Sequence, residues 1–118
     1  MKKVLWVSRH TMTESQFADL QAIYGEVELV RVDKTISTAN ELKDDIDNAD
    51  VIAVVLPIGL LSDVKRLAGT KPVIRAISRR ERGPEIDGET QYVFVHEYWE
   101  QIDKIVVETT RLSKQTED

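Results

Sequence analysis

Short apolar runs alternate with amphipathic stretches along most of the chain, and this alternation predicts its elements. Val4-Leu5-Trp6-Val7 is a continuous apolar run bounded by charge, as expected of a strand buried on both faces. Thr13 and Gln16 have the spacing of a capping box, with Met12 and Phe17 at the staple positions. Phe17, Leu20, Ile23 and Tyr24 then recur at helical spacing until Gly25 supplies a stop. Val27 to Val32 predicts a second strand. Thr38-Ala39-Asn40-Glu41 is a second capping box, and Ala39, Leu42, Ile46 and Ala49 form the inner face of the helix it opens. Val51 to Leu56 is wholly apolar, a central strand ended by Pro57. Leu60, Leu61, Val64, Leu67 and Ala68 predict a third helix closed by Gly69, and Pro72 to Ser78 a fourth strand.

Beyond this point the pattern weakens. Arg79 to Thr90 is polar and holds the turn dipeptides Gly83-Pro84 and Asp87-Gly88, so it reads as a long loop before a fifth strand over Tyr92 to His96. Trp99, Ile102, Ile105, Val106, Thr109 and Leu112 fit one helix face, although their β-branched members would also suit a strand. A helix is the preferred reading, because the polar positions fall opposite. Arg75, inside a strand, requires either an edge or a carboxylate partner across the sheet.

The β-α-β-α-β-α-β-β order implies right-handed crossovers and an open, doubly wound α/β sheet. The expected strand order is 2-1-3-4-5, mostly parallel, with helices on both faces and room for an antiparallel edge strand. Residues 1–113 would form a single domain and 114–118 a frayed tail. In such a sheet the ligand crevice lies beyond the C-terminal ends of strands one and three, where the winding reverses.

Composition narrows the function. The 118 residues include no cysteine, which excludes disulfides and thiolate chemistry. The net charge of −5, from 21 acids and 16 bases, argues against a duplex nucleic-acid partner. No run approaches the ~20 apolar residues of a membrane helix, and the start shows no signal-peptide core. A cytoplasmic location without a membrane partner is therefore expected. The two histidines are far apart in sequence, so neither a metal site nor a metal cofactor is expected. Glycine-rich dinucleotide, P-loop and Gly-x-Ser-x-Gly signatures are absent.

Chemistry-bearing residues gather where the strands end. Ser8, Arg9, His10, Thr11 and Thr13 follow strand one, Gly59 follows strand three, Ser78, Arg79 and Arg80 follow strand four, and His96 closes strand five. The N-terminus of the first helix opens at the same edge. Together they predict a site for a small anionic ligand in an otherwise acidic protein. Each residue also has a plainer use. Thr11 and Thr13 could serve as caps, the arginines could pair with Glu81 and Glu85, His10 could be a solvated loop residue, and His96 a core histidine.

The Ser8-Arg9-His10-Thr11-Met12-Thr13 segment resembles the small stand-alone CRISPR-associated Rossmann-like proteins, the ring-nuclease relatives of cyclic-oligoadenylate sensors. The likeness rests on this motif, with Arg9 standing between Ser8 and His10, on chain length and on layout. It implies a homodimer with the ligand on its two-fold axis over the strand C-termini, a role in antiviral defence, and sequestration or metal-independent cleavage of cyclic oligoadenylate. Ser8, His10, Thr11 and Thr13 would then lie near phosphates, with His10 as acid/base and Arg9 and Arg79 as clamps. Arg9-His10 is also similar to the Arg-His-Gly motif of the histidine phosphatases, with Thr11 replacing the glycine and His96 as the second histidine. A third reading is a non-catalytic regulatory or interaction domain.

Overall fold

A computed structural model describes residues 1–115, so the last three residues of the expected tail lie outside the described residues. Five strands form one sheet: β1 Lys2–Val7, β2 Val27–Val32, β3 Val51–Val54, β4 Val73–Ile86 and β5 Glu89–Gln101. The order is β2-β1-β3-β4-β5, parallel except for the antiparallel β4–β5 pair at the edge. The Rossmann-like expectation is met, including the antiparallel edge strand. The helices are α1 Glu14–Tyr24, α2 Lys43–Asp47 and α3 Ile58–Ala68, with a 3-10 turn at Ala39–Leu42 leading into α2.

The period of two sorts β1 and β3 between two cores. Leu5, Val7, Ile52 and Val54 face α3 and the 39–47 segment, joined there by Leu42, Ile46, Leu61 and Val64. Val4, Trp6, Val51 and Ala53 face α1, joined by Leu20, Ile74 and Trp99. The sheet is therefore covered on both sides, which explains the unbroken apolar runs of its central strands. Of the helix stripe expected in α1 only Leu20 is fully buried; Ile23 is half exposed, because α1 touches the sheet over a narrow strip. The α1 capping box forms as its spacing requires, Thr13 Oγ1 accepting from Gln16 N and Gln16 Oε1 from Thr13 N. Glu41 likewise accepts from the amides of Ser37 and Thr38, and these bonds hold its carboxyl below the ordinary range.

Two expectations fail at the C-terminal third. Residues 79–90 are not a loop. β4 and β5 continue as a hairpin whose Asp87-Gly88 turn has φ of 53° and 77°. That Asp-Gly pair is a strong signal for a two-residue hairpin turn. It is masked here because both faces of the hairpin are largely polar, so no period-two apolar pattern appears. The 99–112 stretch is not a helix either. Trp99 lies within β5, buried against Trp6, and the chain after Gln101 has no regular structure as far as residue 115. β-branched residues and the pairing of Ile102 N with Val73 O favour the extended path. Arg75 meets its carboxylate across the sheet in Glu100, its neighbour in register.

Candidate functional site

Two clefts open beyond the C-terminal ends of β1 and β3, at the point where the connections turn to opposite faces. One, of about 350 Å³, is lined by Ser8, Arg9, Lys34, Thr35, Val55 and Leu60 among others. The other, of about 310 Å³, is lined by Trp6, Ser8, His10, Thr11, Thr13, Gln16, Val55, Ser78 and Phe94. Ser8 and Val55 line both, so the clefts adjoin across the strand ends and together make a divided crevice. The first half carries the cations Arg9 and Lys34, with no carboxylate in its lining among the described residues. The second carries an imidazole, several hydroxyls and the exposed ring of Phe94.

The segment after β1 is held by its backbone, which frees its side chains. The Ser8 amide donates to Val32 O, extending the β1–β2 ladder by one residue. The buried Ser8 hydroxyl accepts from His10 N at 3.0 Å. Trp6 Nε1 donates to His10 O at 2.9 Å, and Arg31 Nη2 to Arg9 O at 3.1 Å. With four backbone groups of Ser8, Arg9 and His10 fixed in this way, the Arg9 and His10 side chains stand exposed on opposite halves of the crevice. Thr13 both caps α1 and lines the site.

Of the residues expected from the sequence, Ser8, Arg9, His10, Thr11, Thr13 and Ser78 line the crevice. Gly59 lies in the first turn of α3, next to the lining residue Leu60, and a Cβ there would meet open space, so packing does not demand glycine. Arg79 pairs with Glu81 and, at 4.0 Å, with Glu97. Arg80 stacks over the Tyr92 ring at 4.3 Å. Both sit on the hairpin and line neither cleft. His96 points its side chain against α1, with Nε2 2.9 Å from Asp19 Oδ2 and its ring against Trp99. It fastens the base of the hairpin to α1.

His96 was expected at a strand end, but β5 is antiparallel and runs through that position to Gln101. The reversal instead brings Phe94 from early in β5 to the crevice. Lys34 and Thr35 were also missed, although they follow β2 and so arrive at the same edge. Applying to strand two the reasoning used for strand one would have found them.

Fold and crevice together define a Rossmann-like α/β protein compatible with nucleotide binding. Comparison with known proteins takes this no further: no family model, curated protein or solved structure matches the chain.

Proposed function

We propose that the crevice binds an anionic nucleotide, and that cyclic oligoadenylate is the ligand class it serves. The observation that carries this reading is the division of one crevice into a cationic half with Arg9 and Lys34 and an aromatic, hydroxyl-lined half with Phe94 and His10. A nucleotide has the matching division. Its phosphate suits the cations, and its base suits a ring face. The likeness of Ser8-Arg9-His10-Thr11-Met12-Thr13 to the CRISPR-associated ring-nuclease group supplies the choice of a cyclic oligoadenylate.

Cleavage of such a ring needs no external nucleophile. A ribose 2′-oxygen attacks the adjacent phosphorus as its proton is removed. The P–O5′ bond breaks, the leaving 5′-oxygen takes up a proton, and a linear product with a 2′,3′-cyclic phosphate remains. In this reading His10 moves a proton and Arg9 holds the charge that develops on the phosphoryl oxygens, the ring spanning both halves of the crevice. No observation favours the phosphatase reading, since the His96 side chain is committed to Asp19.

The test is a thermal-shift and calorimetry panel of cyclic tetra- and hexa-adenylate, linear oligoadenylate, AMP and phosphate, with labelled rings followed for cleavage in EDTA. A cyclic ligand should raise Tm. Arg9→Ala and Lys34→Ala should weaken binding about tenfold each, a loss of about 1.4 kcal/mol. His10→Ala should keep binding and lower turnover by roughly 10²–10⁴. Absence of binding by every nucleotide in the panel, or binding indifferent to Arg9 and Lys34, overturns the proposal.

A further inference from the structure

Beyond Ile74 the strand β4 leaves β3, and the β4–β5 ladder runs on alone to Ile86. As a whole this hairpin is not basic. Arg75 meets the carboxylate of Glu100, Arg79 those of Glu81 and Glu97, and Arg82, at 3.9 Å, that of Glu85. Its two faces differ all the same. Alternation along β4 puts Arg75, Ile77, Arg79 and Glu81 on the α3 side of the sheet and Ala76, Ser78, Arg80 and Arg82 on the α1 side. Across the ladder His96, Phe94 and Tyr92 stand opposite Ser78, Arg80 and Arg82 and share the α1 side. Between Ser78 and Arg82 this side carries no carboxylate of the hairpin: Glu81 and Glu100 lie on the other side, and Glu97 is the extra residue at the bulge.

Arg80 is the hairpin arginine with no carboxylate in ion-pair reach among the described residues, and its guanidinium lies over the Tyr92 ring at 4.3 Å. The stack presents a flat, exposed cation, which offers a plane to a base and N–H groups to a phosphate. Phe94, directly across the ladder from Arg80, is 77% exposed, and Tyr92 is 53% exposed. Residues two apart on one strand face stand about 6.6 Å apart, so successive bases of an unstacked strand can take one platform each. The row begins at the crevice, where Ser78 and Phe94 form part of the wall, and Arg82 lies about 13 Å further along β4. The Arg82–Glu85 pair is long and exposed on both sides, so a phosphate can displace it. A duplex hides the base faces that these platforms would use. An acidic peptide would use the arginines and leave the exposed rings without a role.

We propose that this face of the hairpin is a track for single-stranded nucleic acid, with one base on Phe94, the next on the Arg80–Tyr92 stack, and backbone phosphates on Arg80 and Arg82. The track stands apart from the cyclic-oligoadenylate reading of the crevice, since Arg80, Arg82 and Tyr92 line neither cleft.

Fluorescence anisotropy of the full chain with labelled linear hexa-adenylate, as RNA and as DNA, tests it, and binding of either sugar supports it. The hexamer should bind at least about tenfold more tightly than AMP or an abasic strand of the same length. Tyr92→Ala and Arg80→Gln should each weaken the hexamer about tenfold with thermal melting unchanged, while Tyr92→Phe, which keeps the ring, binds like the wild type. Arg80→Lys keeps the charge but loses the plane, and should bind as weakly as Arg80→Gln. Arg9→Ala should leave hexamer binding within about threefold, so that failure of the crevice reading and failure of the track are told apart. No binding of the hexamer, equal binding of the abasic strand, a duplex or polyglutamate, or an affinity indifferent to Tyr92 and Arg80 overturns the proposal.

Discussion

Trp6→Phe separates the construction of the crevice from its chemistry. Trp6 is 3% exposed, meets Trp99 edge to face at 5.9 Å, and donates through Nε1 to His10 O. Phenylalanine keeps an aromatic ring in place but opens roughly 40 Å³, which at about 24 cal/mol per Å³ costs about 1 kcal/mol. Loss of the hydrogen bond leaves the half-buried His10 carbonyl without its donor and costs about a further 1 kcal/mol. The sum of about 2 kcal/mol lowers Tm by about 8 °C in a domain of this size. Trp99→Phe is the control. It loses a similar volume and a similar bond, from Nε1 to Gln16 O, but that bond anchors α1 rather than the 8–10 segment. Urea unfolding at 25 °C should give comparable losses for both variants, while calorimetry should show weaker ligand binding for Trp6→Phe than for Trp99→Phe. A loss of stability below about 0.5 kcal/mol for Trp6→Phe would refute the packing argument. Equal affinities for the two variants would refute the claim that the indole holds the site in shape.

Three further outcomes follow from single contacts. His96→Ala should cost about 1–2 kcal/mol in urea unfolding through loss of the Asp19 bond and the contact with Trp99, yet leave ligand affinity within about twofold; a large affinity loss at unchanged stability would return His96 to the site. Gly88→Val forces a β-branched residue to φ of 77° and should cost about 1–3 kcal/mol in urea unfolding; a loss below about 0.5 kcal/mol would contradict this. Glu41 has its carboxyl held below the ordinary value of 4.5 by the Thr38 and Ser37 amides. As the pH falls, the unfolded chain therefore takes up this proton first. The contribution of Glu41 is complete well above pH 4.5 and is lost as the pH drops through the lowered folded value. Glu41→Gln should flatten the acid side of the stability curve, and an unchanged acid limb in urea titrations would contradict this.

The first three quarters of the fold are legible in the sequence because burial on both faces writes itself as continuous apolar runs. Val4–Val7 and Val51–Val54 cannot be read as exposed segments, and Thr13, Gln16 and Gly25 mark the ends of α1. The last quarter is less legible because the β4–β5 hairpin is largely exposed beyond Ser78. Arg79–Ile86 alternates polar side chains on both faces, so a strand looks like a loop, and only Asp87-Gly88 betrays the turn. The site shows the same division. Residues that follow parallel strands, from Ser8 to Thr13, were found by asking what leaves each strand. Phe94 was not, because it enters the crevice from a strand whose direction the sequence leaves open.

The most direct test of the crevice as the ligand site is a ¹H–¹⁵N NMR titration of the labelled protein with cyclic tetra-adenylate. The amides of residues 8–13, 34–35 and 55, with those of Ser78 and Phe94, should shift together and saturate, while those around α2 stay still. Shifts confined to another face, or a spectrum unmoved at millimolar ligand, would contradict the account.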